Sequence, residues 1–392
     1  MHKFRTYLSN AVSLAKTGNL NKDGFPPLKV AIGNTSCDMD SAVGALAMGH
    51  YYTVKTDSLW VPVLNCKAAE FYSKLEIVLH FKNCKIDMSN ILFLDELKAL
   101  YPNRDDITET ALVDHNQLDM DQEEWLGKNV TRVIDHHIDN ECYKDTLVEK
   151  EVRFIGSACS LLALMFQKDK HLFAEDLAPS DEPNFAYLLA AAVVLDSYNF
   201  LESIKNKKWN DDDIVAHKFL AETADVGLEY WRTLNNAKFD SEAALELGMK
   251  GNMVRDYKKY DLGKGIMGCS VINALHGDMI GRYGEELLTA ESLQHMKNDG
   301  LHMYLIIGMR ADDMANVTKT LYLVRELSAD NELAKSFDIL CSHLEGADVL
   351  NLNEKFHQEQ TSNGCQYTVY NIQNTAVSRK VLEAIIKTFY RD

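Results

Sequence analysis

Aspartate and histidine residues recur in this sequence directly after short apolar runs. Asp114 follows Ala-Leu-Val and precedes His115, and Asp135 follows Val-Ile and precedes His136 and His137. Carboxylate oxygens with one or two imidazoles suit Mg²⁺, Mn²⁺ or Co²⁺, whereas a structural zinc site favours cysteine. The pattern therefore predicts a metal centre.

Two further acidic positions extend the pattern. Asp38 and Asp40 form an Asp-x-Asp sequence early in the chain, and Asp196 ends a long apolar stretch. A single aspartate of this kind is common at turns and helix N-termini, so Asp38 or Asp196 alone would mean little. In a loop, however, Asp-x-Asp can direct two carboxylates towards neighbouring cations. Because two ions about 3.5–4 Å apart form the clamp of many phosphatases, the whole set predicts a two-ion site.

The elements that must position these residues alternate between short apolar runs and helical patterns. Strands are predicted at 28–32, 59–64, 91–94, 111–113 and 130–134, and helices at 42–52, 68–81, 157–167 and 182–195. Such alternation indicates βαβ units, that is, an α/β fold with a mostly parallel sheet and helices on both faces. Ligands bind at the carboxyl ends of the strands in these sheets, so the aspartates are expected at one edge.

The chain of 392 residues is long enough for two domains. The composition turns polar and charged from about 205 to 240. We therefore expect a catalytic metal-binding domain at 1–222, a linker at 223–240 and a smaller α/β domain at 241–392. The elements predicted in the smaller domain are strands at 266–272 and 303–309 and a final helix from about Ser378.

The composition excludes several classes of protein. A net charge of −17 argues against non-specific binding of nucleic acid, which needs a basic surface. The eight cysteines show no zinc-ribbon or redox spacing, so free thiols are expected. No apolar run approaches the ~20 residues of a membrane helix, and no secretory signal is recognisable. A cytoplasmic protein with no membrane partner is expected, and an acidocalcisome-like acidic organelle is the alternative location.

Six short motifs follow one another along the chain. The first four are Asp38-Met39-Asp40-Ser41, Leu112-Val113-Asp114-His115-Asn116, Ile134-Asp135-His136-His137 and Leu195-Asp196-Ser197. The last two are Asp256-Tyr257-Lys258-Lys259-Tyr260 and Ser378-Arg379-Lys380. This series covers nearly the whole chain and resembles the DHH phosphoesterase superfamily, in proteins that combine DHH and DHHA2 domains. Within it, the chain looks most like the yeast-type exopolyphosphatases and prune proteins, and is related to family II inorganic pyrophosphatases.

The resemblance implies a two-ion centre in the first domain, with its active site in the cleft between the two domains. Asp114 would bridge both divalent ions, and Asp38 would bind one of them. Asp40, His136 and Asp196 would hold the other ion.

Asn34 is the main departure from the pyrophosphatase pattern, in which a histidine ligand opens the first motif. As an oxygen ligand, Asn34 would favour Mg²⁺ as the expected ion, with Mn²⁺ or Co²⁺ as alternatives. The yeast-type exopolyphosphatases resemble this chain in having asparagine there. The expected substrate is therefore short-chain inorganic polyphosphate, including tripolyphosphate.

The resemblance also implies residues that face the substrate. His115 and His137 would contact phosphate oxygens or protonate the leaving oxygen. The cations Lys258, Arg379 and Lys380 would bind phosphate from the second domain.

Two other features have roles to be decided by structure. Asp135, at a strand end, is expected to orient a histidine rather than to bind metal. The segment Gly156 to Ser160 opens a helix, either as a plain helix start or as a source of N–H donors near the site.

Two alternatives to an exopolyphosphatase remain open from the sequence. The same site could act on inorganic pyrophosphate or on a cyclic nucleotide. In a different class, the chain could be a prune-like regulatory or interaction protein with weak catalysis. A monomer is expected, because the two domains alone would complete the site.

Overall fold

The structure is a computed structural model that describes residues 2–180, 182–311, 317–358 and 363–391. The chain divides into two compact units, Met1–Lys238 and Phe239–Asp392. The first unit contains a five-stranded sheet and the second a six-stranded sheet. The predicted α/β fold class is confirmed.

All five strands of the first sheet run parallel. They are β1 (Lys29–Ile32), β2 (Trp60–Val63), β3 (Glu109–Val113), β4 (Val130–Asp135) and β5 (Glu149–Val152). Their order in the sheet is β2-β1-β3-β4-β5. The chain thus extends the sheet on one side of β1 and then returns to the other side with β3. Such a reversal leaves a crevice at the carboxyl ends of the strands between β1 and β3, where ligands bind in open α/β sheets.

Ten helices surround this sheet among the described residues of the first unit. They are α1 (His2–Lys16), α2 (Met39–Thr56), α3 (Ala68–Phe71), α4 (Leu75–Asn83), α5 (Leu94–Leu100), α6 (Met120–Leu126), α7 (Ala158–Lys168), α8 (Phe185–Asp196), α9 (Asp211–Ala221) and α10 (Leu228–Phe239). Helix α2 packs against β1, β2 and β3 as well as against α7 and α8. Both α2 and α8 are therefore apolar on almost every side, as expected for helices in the centre of a unit.

The strand predicted at 91–94 is wrong. Ile91 and Leu92 are buried, but Phe93 forms only an isolated bridge with Leu64. Glu96 accepts a hydrogen bond from the Phe93 amide at 3.1 Å, and this capping begins α5 at the next residue. A short apolar run does not distinguish a strand from a buried loop, because both hide their side chains.

Two other elements differ from the expectation. The helix predicted at 68–81 is divided into α3 and α4, with residues 72–74 between them. Strand β5, Glu-Lys-Glu-Val, carries no apolar alternation because it lies at the edge of the sheet and is largely exposed.

The segment 223–240, expected to be a linker, contains helix α10. Its Trp231 and Leu234 are buried in the core of the first unit. The Tyr230 hydroxyl lies 2.9 Å from Nδ1 of His80 on α4. The two compact units meet in sequence just before the end of this helix, between Lys238 and Phe239.

The second unit is built on a mixed sheet. Its strands are β6 (Tyr257–Asp261), β7 (Ile266–Ile272), β8 (Met303–Ala311), β9 (Val317–Glu326), β10 (Leu352–Gln358) and β11 (Cys365–Ile372). The order is β10-β11-β9-β8-β7-β6, and every pairing is antiparallel except that of β7 with β8. The strands predicted at 266–272 and 303–309 correspond to β7 and β8.

Helices cover both faces of this second sheet. They are α11 (Ser241–Glu246), α12 (Gly248–Arg255), α13 (His276–Tyr283), α14 (Glu285–Asp299), α15 (Glu332–Lys335), α16 (Phe337–Glu345) and α17 (Arg379–Arg391). Alternate residues of β8 enter different cores: Leu305 and Ile307 lie in one, and Tyr304 and Ile306 lie in the other. This alternation is expected for a strand buried on both faces.

Two sequence expectations concern the chain as a whole. All eight cysteines are free thiols. Within the described ranges, no helix combines the length and the hydropathy needed to cross a membrane.

Candidate metal centre

The predicted aspartates and histidines of the first unit come together at the carboxyl edge of its sheet. Ligand atoms of Asp40, His136 and Asp196 all lie within 4.8 Å of one another. A second set, whose atoms are equally close, contains Asp114, Asp135, His136 and His137. The two sets share His136.

The tautomer of His136 is set by the backbone. Its Nδ1 lies 3.0 Å from the carbonyl oxygen of Ile155 and therefore carries the proton. In the neutral ring, Nε2 then carries a lone pair. This nitrogen lies 3.1 Å from Oδ1 of Asp114 and 4.0 Å from Oδ2 of Asp40. Oδ1 of Asp114 is buried and has no hydrogen-bond donor among the described residues. Acceptors that face one another at this distance need a cation or an added proton between them, so the group fits a metal ion.

Titration behaviour shows the same shortage of positive charge. Burial and the charge of Asp38 raise the pKa of Asp114 well above its usual value. Burial and Asp40 raise the pKa of Asp196 to about 7. Burial lowers the pKa of His136, but Asp114, Asp40 and Asp196 outweigh it and raise the value to about 10. Divalent ions would replace these protons and allow every carboxylate to ionise.

Asp40 is held by the N-terminus of helix α7. It is fully buried, and its Oδ1 accepts hydrogen bonds from the Ser157 hydroxyl at 2.5 Å and the Cys159 amide at 2.9 Å. Its Oδ2 accepts from the Ala158 amide at 2.6 Å. The segment 156–160 is thus both a helix start and a source of N–H donors. These donors orient a candidate metal ligand, and the helix dipole stabilises its charge.

The side-chain amide of Asn34 is oriented by hydrogen bonds within its own loop. Its Oδ1 accepts hydrogen bonds from the Ser36 amide at 2.9 Å and hydroxyl at 2.5 Å, and from the Cys37 amide at 3.2 Å. These amides are donors only, so the side-chain oxygen must face them and Nδ2 must face the other way. Nδ2 donates to Oδ2 of Asp114 at 2.7 Å. In this orientation Asn34 directs its nitrogen, rather than its oxygen, towards Asp114.

Ser41 assists Asn34 from the first turn of α2. Its hydroxyl donates to Oδ2 of Asp114 at 2.7 Å, and its amide donates to Oδ1 of Asp38 at 3.1 Å. A Cβ on Gly33 would lie 2.6 Å from the Ser41 carbonyl oxygen, so only glycine allows the end of β1 to come this close to α2. The geometry of the first motif therefore depends on Ser41 and on the preceding Gly33, as well as on its two carboxylates.

The buried carboxylate of Asp135 orients the ring of His137. Its Oδ1 lies 2.7 Å from Nδ1 of His137, and its Oδ2 accepts a hydrogen bond from Asn116 at 2.5 Å. Burial opposes ionisation, but the hydrogen bonds from His137 and Asn116 bring the pKa of Asp135 down to about 2. The His137 side chain remains 24% exposed, so a ligand can reach its ring.

His115 is neutral in this environment. Its Nδ1 lies 2.9 Å from the carbonyl oxygen of Val113, and burial lowers its pKa below the usual value. Its Nε2 is buried without a hydrogen-bond partner among the described residues. With the proton on Nδ1, Nε2 presents a lone pair.

The backbone is strained where the candidate residues leave their elements. Cys37 and Asp114 have φ values of 44° and 62°. The three residues after Ser197 are all left-handed, at 52°, 50° and 58°. Left-handed conformations cost L-residues about 1–2 kcal/mol each and concentrate at functional sites.

Two lysines near Asp38 were not expected from the sequence. The Lys74 ammonium group donates to the Ser36 carbonyl oxygen at 2.6 Å, and Lys74 is 4% exposed. Lys238 lies near the end of α10, and its charge acts on Asp196 and Asp38. Burial opposes ionisation of Asp38, but Lys238, the Ser41 amide and Lys74 hold its pKa below the usual value. Neither lysine belongs to a motif, so only the packing of α4 and α10 could reveal them.

The expected phosphate-binding residues of the second unit lie near one another within that unit. Lys258 is on β6, and Arg379 and Lys380 are the first residues of α17. Nη1 of Arg379 donates to the main-chain oxygen of Asp256 at 2.9 Å and lies 2.9 Å from its Oδ1. This contact connects the start of α17 to the residue before β6.

Part of the first unit matches a known family model. Residues 29–193 match the family model described as "DHH family, N-terminal domain". The rat protein "Exopolyphosphatase PRUNE1" is 28% identical over 218 residues, which are 55% of this chain and 46% of that protein. The chain thus spans about half the length of this curated relative.

Two further comparisons extend over most of the chain. A Schizosaccharomyces pombe protein named "Putative exopolyphosphatase" is 24% identical over 366 residues, which are 91% of this chain and 89% of that protein. The crystal structure of a Methanococcus jannaschii "putative family II inorganic pyrophosphatase" superposes with a TM-score of 0.62 at 15% identity, covering 93% of this chain and 99% of the other. At this identity the structural likeness concerns the fold alone.

Proposed function

We propose that this chain is a metal-dependent exopolyphosphatase, on the premise that residues 29–193 match the DHH family model. It hydrolyses the terminal phosphoanhydride bond of short inorganic polyphosphate, including tripolyphosphate. The observation that carries the proposal is the buried group of carboxylates around His136, whose facing acceptors need cations or added protons between them. The alignment with a relative named as an exopolyphosphatase over 91% of this chain supports the choice of substrate.

Five residues would hold two divalent ions. Asp114 would bridge them, Asp38 would complete one site, and Asp40, His136 and Asp196 would complete the other. When bound, such ions stabilise negative charge on phosphate and supply a water-derived nucleophile. Asn34 adds no nitrogen ligand, so the Asp38 side of the cluster offers only oxygen atoms. Hard oxygen ligands favour Mg²⁺, with Mn²⁺ and Co²⁺ as alternatives.

His137 would move a proton at the substrate. Its Nδ1 is fixed on Asp135, so Nε2 is the nitrogen that can hold a proton and release it to the leaving phosphate oxygen. Because Asp135 has a pKa of about 2, it stays ionised and stabilises the imidazolium form. His115, being neutral and buried, accepts rather than donates. This arrangement needs no covalent intermediate on the protein.

Cations of the second unit complete the proposal. Arg379, Lys258 and Lys380 would bind phosphate oxygens of the substrate, Arg379 through its planar pair of donors. The contact between Arg379 and Asp256 uses Nη1, and the guanidinium group has further donors to offer.

A substrate panel tests the proposed function. Phosphate release from tripolyphosphate, longer polyphosphate, pyrophosphate and cyclic AMP is compared in Mg²⁺, Mn²⁺ and Co²⁺. The proposal expects the highest kcat/KM for tripolyphosphate or another short chain, with Mg²⁺. A higher kcat/KM for pyrophosphate would make the chain a pyrophosphatase, and turnover of cyclic AMP alone would make it a phosphodiesterase. Ion binding with no turnover of any substrate would support the regulatory alternative.

A further inference from the structure

Lys74 is a buried cation beside the candidate metal centre that the proposed chemistry does not use. It is 4% exposed and occupies the position just before helix α4. Burying an ammonium group costs several kcal/mol unless it is paired and hydrogen-bonded. An apolar residue could fill the same space, so the charge needs a reason in its surroundings.

Lys74 contacts the loop that carries Asp38. Nζ donates to the carbonyl oxygen of Ser36 at 2.6 Å. On its other side, Ser36 donates through its amide and hydroxyl to Oδ1 of Asn34. The loop is thus held by hydrogen bonds from two directions, two residues before Asp38. Cys37 lies between Ser36 and Asp38 and has a φ of 44°. This left-handed conformation is unfavourable for a residue other than glycine, so it needs support from its surroundings.

The break between α3 and α4 places Lys74 in this position. Lys74 has φ −90° and ψ 74°, outside the helical region, and α4 begins at the next residue. A continuous helix through 68–83 would have carried this side chain on a regular helical face. The break between α3 and α4, which the sequence did not predict, therefore allows Lys74 to reach the loop that carries Asp38.

We propose that Lys74 is a positioning residue for the ion on the Asp38 side of the centre. Its hydrogen bond to the Ser36 carbonyl oxygen acts as a clamp that holds the loop carrying Asp38 in place. This inference rests on the proposed two-ion function. The other ion depends on Asp40, His136 and Asp196, for which the α7 N-terminus and the Ile155 carbonyl oxygen provide support. Loss of Lys74 should therefore weaken the Asp38-side site more than the other site.

The charge of Lys74 and its hydrogen bond to Ser36 should have opposite effects on the affinity of the Asp38-side site for a metal ion. A cation near Asp38 repels an incoming metal ion, so removing it would by itself tighten binding. A weaker Asp38-side site in a variant that lacks Lys74 therefore points to the loss of the clamp. The direction of the change separates the two explanations.

Calorimetric titration of the full chain with Mn²⁺ tests the proposal. Lys74→Met keeps most of the length and volume of the side chain but removes both charge and donor. Asp38→Asn and Asp196→Asn show which step of the isotherm belongs to which side. Lys82→Met, an exposed lysine on helix α4, is the matched control. We expect Lys74→Met to weaken the Asp38-side step about tenfold or more, and Lys82→Met to change neither step.

Three results would overturn the proposal: two unchanged steps in Lys74→Met, equal weakening of both steps, or tighter binding on the Asp38 side. If Lys74→Met does not fold, Lys74→Leu replaces it, because leucine also lacks both the charge and the donor. Selective weakening of the same step then supports the clamp, and unchanged steps refute it. Absence of Mn²⁺ binding by the unsubstituted chain would instead remove the proposed function itself.

Discussion

At the scale of single residues, the Asp135-His136-His137 motif divides three tasks among neighbours. His136 directs Nε2 into the carboxylates because its Nδ1 is held by Ile155. In His137, by contrast, Nδ1 is held by Asp135, which leaves Nε2 as the nitrogen available for other contacts. The sequence pointed to all three residues, but only the backbone and carboxylate partners define which nitrogen acts.

Replacing Asp135 with asparagine tests this division. The amide can occupy the same space but cannot stabilise an imidazolium at His137 by charge. We expect kcat for tripolyphosphate to fall about tenfold or more, with Mn²⁺ affinity nearly unchanged. Asp139→Asn, at an exposed aspartate shortly after the motif, should leave kcat intact. Steady-state kinetics with parallel ion titrations check this, and a Mn²⁺ affinity that falls as much as kcat would give Asp135 a ligand role instead.

Asn34 shows where inference from single residues ends. Its position in the first motif was clear, and oxygen ligation was a reasonable expectation for an amide. The direction of that amide depends on the amides of Ser36 and Cys37, which a sequence does not reveal. Residue type predicted where Asn34 lies, and the loop conformation determined what it does.

At the scale of elements, the centre is made by helix ends as much as by strand ends. Helix α7 begins against Asp40, and α8 ends at Asp196, where the helix dipole adds to the negative charge. Periodicity predicted both helices. It could not predict that the N-terminus of α7 faces Asp40, because 118 residues of sequence separate Asp40 from Ala158.

Ser157→Ala tests the contribution of the α7 N-terminus. The variant removes one donor to Asp40 and keeps the amides of Ala158 and Cys159. The net loss should be about 0.5–1.5 kcal/mol, seen as a weaker Asp196-side step in Mn²⁺ titration. Ser160→Ala is the control, because that hydroxyl donates to Asp213 on α9 instead. Equal effects of the two substitutions on the Mn²⁺ step would contradict the assignment.

The docking of α10 should depend on pH through His80. Burial lowers the pKa of His80 to about 4, since its ring is fully buried against Tyr230 and Leu188. The unfolded chain therefore binds a proton that the folded chain does not. Stability from this group is complete above about pH 6.5 and falls towards pH 4, by roughly 3 kcal/mol in all.

Urea unfolding between pH 4.5 and 7 measures this dependence. All four tryptophans lie in the first unit, so their fluorescence reports on it alone. His80→Gln should reduce the loss of unfolding free energy on acidification relative to the unsubstituted chain. Identical pH profiles for the two proteins would show that His80 is not protonated on unfolding.

At the scale of the whole molecule, each unit has its own sheet and its own core. The candidate ion ligands named above lie in the first unit, whereas the expected phosphate-binding cations lie in the second. The motifs could suggest this division, since each motif lies within one unit. They could not show that 223–240 contains a helix with two buried apolar residues, because a polar helix with a narrow apolar face resembles a linker in composition.

Arg379→Met tests the proposed role of the second unit. We expect KM for tripolyphosphate to rise about tenfold or more, because a bidentate charge-assisted contact is lost. Mn²⁺ affinity should not change, since no candidate ligand is altered. Lys387→Met, on the same helix and paired with Glu383, is the control. A lower kcat with an unchanged KM would argue against substrate binding by Arg379.

Hydrolysis of tripolyphosphate by the Asp114→Asn variant tests the central claim most directly. The substituted amide would still accept hydrogen bonds from Asn34 and Ser41 but would lack the charge that joins both ion sites. At saturating Mg²⁺, with native tryptophan fluorescence, the predicted result is a loss of at least about a hundredfold in phosphate release. Phosphate release at the unsubstituted rate would contradict the two-ion phosphohydrolase.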